Sequence, residues 1–459
     1  MAGITGWIAL WWILEAIPLP VTALLPVVLF PVFGIMSTKA VAPLYMNHVM
    51  FLFIGGFMVA FAMERWNLHK RIALKIILAI GNDLNRVLLG MMVASYLLSM
   101  WISNTATTMM MIPTTLAVVG KLRDSFQDGK QAKTIATGML LAIAYAASIG
   151  GTATLVGTPP NLIFMSHYNE IFPETNGISF LEWFMMGLPI SFLLLGFTYF
   201  VLKKMYLPKA NSQPKANHRH IFEREYQKLG KISFEEKVVS TVFILLAVLW
   251  FTRADLNLGA TTIRGWSSLF EQPGFMTDGT VAVFCSVFLF LIPSKQQKGG
   301  MILKWEDVKK LPYGIILLFG GGFALAKGFV ESGLTEWLGN HLALVGTLPL
   351  ILVVAAICTF MTFVTEITSN MATTQLMMPI LAAIAISTGL SPELLMIAAT
   401  FSASCAFMLP VATAPNMIVF GSEKIQISEM VRTGIILNLI GIVVIAAVML
   451  LWGKWVLGV

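Results

Sequence analysis

The stretch WISNTATTMMMIP (residues 101–113) has a counterpart in TEITSNMATTQLMMP (residues 365–379). Both stretches place Ser-Asn ahead of several threonines, and both end on a proline ten residues after the serine. Hydroxyl and amide side chains are costly in apolar surroundings unless they find polar partners. A polar motif that occurs twice in the same frame therefore indicates a paired site, not two unrelated helix surfaces.

The composition around these stretches is that of a membrane protein. The chain has 459 residues, of which 57% are hydrophobic and 12% are charged. Apolar runs at 183–202, 342–364 and 433–452 have the length of about 20 residues that a membrane-crossing helix needs. A β-barrel would show short alternating segments instead. The sequence thus predicts an all-α polytopic protein of the cell membrane, with the lipid bilayer as a partner.

Positive charge is concentrated in a few loops. The segment 203–237 holds nine Lys and Arg against four Glu, and a second basic loop covers 295–310. Cytoplasmic loops carry an excess of Lys and Arg, so both loops are predicted to lie in the cytoplasm and the loop 253–278 outside. The net charge of +7 is accounted for by these loops and does not indicate a nucleic-acid partner.

The two halves of the chain repeat with a fixed offset. Ser103 and Ser369 are 266 positions apart (369 − 103), as are Gly55-Gly56-Phe57 and Gly321-Gly322-Phe323. VGTPPN (156–161) pairs with VATAPN (411–416) at an offset of 255 (411 − 156). We therefore predict a first repeat at 1–205, a cytoplasmic linker at 206–237 and a second repeat at 238–459. The span 238–252 has no counterpart, so a complete first repeat would need helix ahead of Met1.

Each repeat contains two interruptions of helix. The first is predicted to hold a re-entrant hairpin at about 86–119 and an interrupted helix at about 135–166. The second is predicted to hold a hairpin at about 345–386 and an interrupted helix at about 391–420. The charge map gives the copies opposite orientations, and inverted repeats with broken helices at the midplane are typical of ion-coupled transporters.

The breaks have a composition that suits ions. Proline stops helix, and glycine lets backbone approach an ion closely. Freed carbonyls with Ser and Asn oxygens suit Na⁺, whereas freed amides at a helix N-terminus with Thr hydroxyls suit an anion. Small polar residues also serve close helix packing, but packing gives no reason for two matched pairs of breaks.

The motifs SNTATTMMMIP, GGTATLVGTPPN, EITSNMATTQLMMP and FMLPVATAPNMIVFGSEK, with LEAIPLPVTALLP near the start, carry a resemblance. On these residues the chain resembles the divalent anion/sodium symporters, which carry di- and tricarboxylates or sulfate. The resemblance covers essentially the whole chain. It implies an inverted-repeat ion-transporter fold with an elevator-type movement of the hairpins, and it implies a homodimer.

The resemblance also implies site residues. A first sodium site would come from Ser99, Ser103, Asn104 and Gly157, and a second from Thr365, Thr368, Asn370 and Ala412. The substrate carboxylates would be bound by Ser103, Asn104 and Thr105 on one side and by Ser369, Asn370 and Thr413 on the other, with Thr158 beside them.

One position departs from the pattern of that family. The second motif reads Ser-Asn-Met, so Met371 places a thioether where the first motif has the hydroxyl of Thr105. A bulky tricarboxylate would lose a donor there. The sequence therefore favours C4-dicarboxylates such as succinate, malate and fumarate.

The leading hypothesis is a secondary transporter that couples inward Na⁺ movement to dicarboxylate uptake. Alternatives are a sodium-independent dicarboxylate exchanger of the same fold and a proton or sodium antiporter of related architecture. An acid within the membrane, such as Glu366, is a candidate proton carrier, although it has no counterpart in the first repeat, where Met100 matches it. The spans contain no His-Glu-x-x-His or Gly-x-Ser-x-Gly stretch, so an enzyme is not predicted.

Overall fold

The computed structural model describes residues 1–81, 83–125, 129–175, 177–208, 219–257 and 262–457. Within these residues the protein is almost wholly helical, as the sequence predicts. Six of its helical stretches are long and apolar enough to cross a membrane, and several shorter apolar helices lie between them. The chain is therefore a multi-pass helical protein, and the prediction of an all-α membrane fold is confirmed.

The first half begins with a helix that stops early. The first helix ends at Leu14, and Glu15 adopts a left-handed backbone conformation with φ 47°. The helices of this half are α1 (Ala2–Leu14), α2 (Leu19–Thr22), α3 (Leu25–Val32), α4 (Thr38–Val41), α5 (Val49–Arg65), α6 (Leu68–Ile80), α7 (Leu84–Ser99), α8 (Asn104–Ser125), α9 (Gly129–Thr152), α10 (Pro159–Ile171) and α11 (Phe180–Tyr206).

The second half is also helical, and it contains one small sheet. Strands β1 (Leu256–Asn257) and β2 (Thr262–Ile263) pair antiparallel in the loop predicted to face outside. The helices are α12 (Arg219–Lys228), α13 (Phe234–Phe251), α14 (Asp278–Leu291), α15 (Trp305–Val308), α16 (Tyr313–Glu331), α17 (Leu334–Leu342), α18 (Leu350–Val364), α19 (Asn370–Thr388), α20 (Pro392–Ala403), α21 (Ala414–Phe420), α22 (Ile427–Val448) and α23 (Lys454–Leu457).

The described residues of the predicted linker 206–237 include helix. The linker contains α12, and α13 begins inside it at Phe234, while Lys209 and Lys215 lie outside the described residues. The early start has a local cause, because the Ser233 hydroxyl accepts from the Glu236 amide and the Glu236 carboxylate accepts from the Ser233 amide. The same carboxylate accepts from the buried Arg71 guanidinium at 2.6 Å, which ties α13 to α6.

The helices form two packed groups. In the first, which we call the hairpin bundle, α7 to α11 pack with one another and with α18 to α22. In the second, which we call the frame, α5 packs on α13 and α14, and α16 contacts α10 and α19 of the bundle. All three cysteines of the chain are buried and unpaired: Cys285 lies in α14, Cys358 in α18, and Cys405 in the segment that follows α20.

Candidate functional site

Both Ser-Asn motifs border one cavity of about 530 Å³. The cavity lies between the hairpin bundle and the frame, and it contacts Asn104 on one side and Asn370 on the other. Its frame wall carries Phe53, Phe57 and Phe61, which are four residues apart and therefore share one face of α5. The structure thus brings together two motifs that are separated by 266 positions in the chain.

The lining of the cavity repeats between the two halves. The hairpin tips contribute residues at the offset of 266, and the broken helices contribute residues at the offset of 255. The matched pairs in the lining are Ser103 and Ser369, Asn104 and Asn370, Thr105 and Met371, Gly157 and Ala412, Thr158 and Thr413, Pro159 and Ala414, and Pro160 and Pro415. Every predicted substrate-binding residue lies in this lining.

Helix N-termini converge on the cavity. Helices α8, α10 and α19 begin at Asn104, Pro159 and Asn370, and all three residues line the cavity. The first amides of a helix have no partner within it, and the helix dipole makes that end electropositive. Three such ends beside the Ser, Asn and Thr side chains of the motifs favour a bound anion without any Lys or Arg in the motifs.

The cluster predicted to bind the first sodium ion lies next to Asn104. The Ser99 hydroxyl donates to the Asn104 side-chain oxygen at 2.5 Å. A Cβ on Gly151 would overlap that same oxygen, and a Cβ on Gly157 would overlap the Gly151 carbonyl. The helix break therefore needs glycine at both positions, because a Cβ on Gly151 would contact both the Asn104 amide oxygen and the Gly157 carbonyl oxygen.

The second cluster repeats this pattern behind Asn370. The Thr365 hydroxyl donates to the Asn370 side-chain oxygen at 2.6 Å and contacts the Ala403 carbonyl at 2.9 Å. Thr368 behaves differently, since its hydroxyl contacts the Val364 carbonyl at 2.9 Å and the Thr373 hydroxyl at 2.5 Å. The hydroxyl of Thr368 thus forms its hydrogen bonds within its own hairpin, unlike that of Thr365.

Sequence reasoning did not assign a role to two asparagines in the broken helices. Asn161 donates to the Gly151 carbonyl at 3.1 Å and the Thr154 carbonyl at 2.7 Å. Asn416, at the offset of 255, donates to the Ala406 and Leu409 carbonyls, both at 3.0 Å. Each amide holds the unwound segment of its own broken helix. The final N of VGTPPN and VATAPN was the available signal for this role.

The Glu366 side chain binds the unwound backbone of the second broken helix. Its carboxylate accepts from the backbone amides of residues 407, 408 and 409 at 2.7, 2.9 and 3.0 Å. It also accepts from the Asn438 side chain of α22 at 2.7 Å. Helix α20 ends at Ala403, so these amides belong to the unwound segment that precedes Thr413. Four donors on one carboxylate indicate an anchor for backbone.

Charged side chains occur only toward one end of the cavity. Glu64 and Lys310 are the charged members of its lining, and Lys310 belongs to the basic loop predicted to be cytoplasmic. Within the described residues, His, Cys, Asp and Glu form no group of three that could bind a metal ion. The cation ligands offered beside Asn104 and Asn370 are therefore neutral oxygens, which suit Na⁺ better than a transition metal.

Comparison with known proteins gives a consistent answer. The family described as "Sodium:sulfate symporter transmembrane region" matches residues 1–459. The chain is 43% identical over 460 residues to the sodium-dependent dicarboxylate transporter SdcS of Staphylococcus saprophyticus, covering 99% of this chain and 86% of the relative. It is 43% identical over 467 residues to SdcS of Staphylococcus aureus, with the same shares covered.

Two solved structures share the fold at low identity. The YdaH transporter of Alcanivorax borkumensis superposes with a TM-score of 0.60 at 14% identity, over 90% of this chain and 86% of that one. MtrF of Neisseria gonorrhoeae, an antimetabolite efflux pump, superposes with a TM-score of 0.57 at 12% identity, over 89% of this chain and 81% of that one. At this identity the likeness concerns the arrangement of helices alone.

Proposed function

The chain belongs to the sodium:sulfate symporter family, and from this premise we propose that it couples inward Na⁺ movement to uptake of C4-dicarboxylates across the cell membrane. Succinate, malate and fumarate are the expected substrates. The observation that carries the proposal is the single cavity bordered by both Ser-Asn motifs and by the N-termini of α8, α10 and α19. The dicarboxylate named for the SdcS relatives supports the substrate class.

We assign the anion to the central cavity, where it contacts both Ser-Asn motifs. One carboxylate is bound by Ser103, Asn104 and Thr105, with Thr158 beside them. The other is bound by Ser369, Asn370 and Thr413. Neutral donors bind a carboxylate less tightly than arginine, which forms strong bidentate pairs. A carrier that has to release its load in every cycle is served by the weaker interaction.

We assign two sodium ions to the clusters in which Ser99 contacts Asn104 and Thr365 contacts Asn370. The first is bound by Ser99, Ser103, Asn104 and Gly157, and the second by Thr365, Asn370, Ala412 and the backbone of Thr368. Because Asn104 and Asn370 contribute to both the ion and the anion positions, sodium occupancy raises anion affinity and the anion raises sodium affinity. Two Na⁺ balance the charge of a dianion, so electrogenic uptake requires a further cation.

We propose that the two halves act as inverted repeats and that the hairpin bundle moves against the frame as a rigid body, as in an elevator. In the present state the cavity reaches Lys310 of the basic loop, which supports an inward-facing conformation. The homodimer implied by the family resemblance stays a prediction, and crosslinking in membranes tests it.

The test is uptake of labelled succinate by proteoliposomes with and without a sodium gradient. We expect sodium to stimulate uptake, and Asn104→Ala or Asn370→Ala to reduce it at least about tenfold, because a hydrogen bond to a charged group contributes about 1.5–3 kcal/mol. Asn340→Ala is the matched control, since Asn340 is exposed on α17 outside the cavity.

The alternatives give different results in the same vesicles. Uptake that ignores sodium but requires internal dicarboxylate would identify an exchanger and contradict the proposal. Uptake driven by a pH gradient and lost in Glu366→Gln would identify a proton-coupled carrier. The structure disfavours the second outcome, because the Glu366 carboxylate already accepts hydrogen bonds from three backbone amides and Asn438.

A further inference from the structure

A second large cavity lies on the flank of the hairpin bundle. It has a volume of about 780 Å³ and lies between the C-terminal end of α11 and the N-terminal end of α22. Its lining includes Lys204 and Tyr206 of α11 and Glu429, Arg432 and Ile436 of α22. The central cavity shares none of these residues, so this groove is a separate feature.

Two cations from different helices line the groove. Lys204 lies in the last turn of α11 and Arg432 in the second turn of α22, and both side chains are exposed. Within the described part of the chain, no ion pair or hydrogen bond is found for either side chain. The neighbouring Lys203 differs, because its ammonium lies 5.7 Å from the ring centre of Tyr199 and does not line the groove.

The remaining polar side chains of the groove are hydroxyls and the carboxylate of Glu429, which already accepts a hydrogen bond. The Tyr206 hydroxyl lies 2.6 Å from the Thr433 hydroxyl, which fixes it beside the cations. The Glu429 carboxylate accepts from the Gln426 amide at 2.9 Å as part of the start of α22. Two cations against one acid that caps a helix leave the groove with a net positive charge.

Apolar surface continues from the cations along both helices. On α11, Phe197 and Phe200 are exposed, and on α22 Ile436 and Leu439 are exposed. The cations lie at the basic, cytoplasmic end of these helices, and the apolar side chains lie toward the middle of the membrane. This order of charge and hydrocarbon corresponds to the order within a phospholipid of the cytoplasmic leaflet.

We propose that this groove binds an anionic phospholipid, with Lys204 and Arg432 contacting the headgroup phosphate and the exposed side chains of α11 and α22 contacting an acyl chain. Basic pockets between membrane helices on the cytoplasmic side are known to attract anionic headgroups. A soluble anion would leave the apolar part of the surface unused. The site is independent of the transported substrate.

The experiment is a lipid titration of the purified full-length chain. Thermal unfolding is followed in nanodiscs of phosphatidylcholine with increasing phosphatidylglycerol, and retained lipid is counted by native mass spectrometry. We expect phosphatidylglycerol to raise Tm saturably. The double variant Lys204→Gln/Arg432→Gln should weaken the apparent affinity roughly 30-fold, given about 1 kcal/mol for each cation near an anionic surface. Lys203→Gln is the matched control and should bind like the wild type.

Each other outcome overturns the proposal. An equal rise in Tm with phosphatidylcholine alone would show that the headgroup charge is irrelevant. An equal rise with inorganic phosphate would identify a soluble-anion site. Affinity that survives in the double variant, or falls equally in Lys203→Gln, would place the lipid elsewhere. Lys204→Arg retains the charge and should retain binding, which separates loss of the site from loss of the fold.

Discussion

The two halves of the central cavity have the same outline but different supports. In both, a hydroxyl donates to an asparagine oxygen, Ser99 to Asn104 and Thr365 to Asn370. Behind the first asparagine, Gly151 and Gly157 bring two backbone segments into close contact. At the matching positions of the second half stand Ala406 and Ala412, and the unwound backbone is bound by a carboxylate instead.

This difference shows how one site outline is maintained by two kinds of interaction. The first break depends on the absence of side chains, so it should be sensitive to a single added carbon. The second break depends on a buried acid that collects amides over three consecutive residues, so it should be sensitive to loss of an acceptor. Each half should therefore tolerate the change that damages the other.

The largest expected effect comes from Gly157→Ala. The added Cβ would overlap the Gly151 carbonyl, and the backbone beside Asn104 would have to move. Overpacking of this kind costs about 1–3 kcal/mol, so sodium-dependent uptake should fall by about 5- to 150-fold. The reverse change at the matched position, Ala412→Gly, should alter uptake by less than about fivefold, because it adds only backbone freedom.

Uptake in proteoliposomes at several sodium concentrations measures both variants. The expected signature of Gly157→Ala is a higher sodium requirement with normal amounts of folded protein. Equal losses in Gly157→Ala and Ala412→Gly would show that the two breaks are supported alike, and the contrast between the halves would then be wrong.

A smaller effect on function and a clear effect on stability are expected for Glu366→Gln. In glutamine, an NH2 group replaces one of the two carboxylate oxygens that accept from the amides of residues 407, 408 and 409. At least one of these N–H groups therefore loses its acceptor. The free energy of unfolding should fall by about 1–3 kcal/mol. Thermal unfolding in detergent measures this loss, with the exposed Glu306→Gln as control.

Uptake by the folded fraction of Glu366→Gln should remain sodium-dependent. Unchanged stability together with loss of pH-driven uptake would assign proton carriage to Glu366. That result would also remove the distinction between an acid-supported half and a glycine-supported half.

The smallest expected effect concerns the substrate position where the halves differ. Met371 lines the cavity opposite Thr105, its match in the other half. Met371→Thr supplies one more hydroxyl, which is worth about 0.5–1.5 kcal/mol when it pairs with the substrate. Half-saturation for succinate should fall about two- to tenfold, and tricarboxylates should compete better than with the wild type.

A competition panel at fixed sodium measures the change. Thr105→Met is the reciprocal variant and should raise half-saturation for succinate. An unchanged panel in both variants would mean that these side chains do not contact the anion.

The sequence predicted the positions that meet in the cavity because they share a local signature. Ser-Asn before threonines, and Pro-Asn after Gly or Ala, occur at four breaks in apolar helix of this chain, and the fixed offsets pair them. These features depend on residues a few positions apart, which a sequence displays directly.

Other parts of the site depend on contacts between distant segments. The Glu366 carboxylate accepts from backbone amides 41 to 43 positions later in the chain and from Asn438, 72 positions later. No local sequence pattern indicates that these residues contact Glu366. The close approach at Gly151 appears only when α9 is packed beside the tip of α8. Helix α12 lies in a polar segment that the sequence predicts to be a linker. A hydropathy pattern does not reveal such a helix, because an amphipathic surface helix is not apolar enough.

The burial of all three native thiols has a practical consequence. Cys285, Cys358 and Cys405 are at most 2% exposed. Maleimide reagents in water should therefore leave the unmodified chain unlabelled. A cysteine introduced at Lys310 would be the one accessible sulfhydryl, and the rate of its alkylation would report when the cavity mouth is open to solvent.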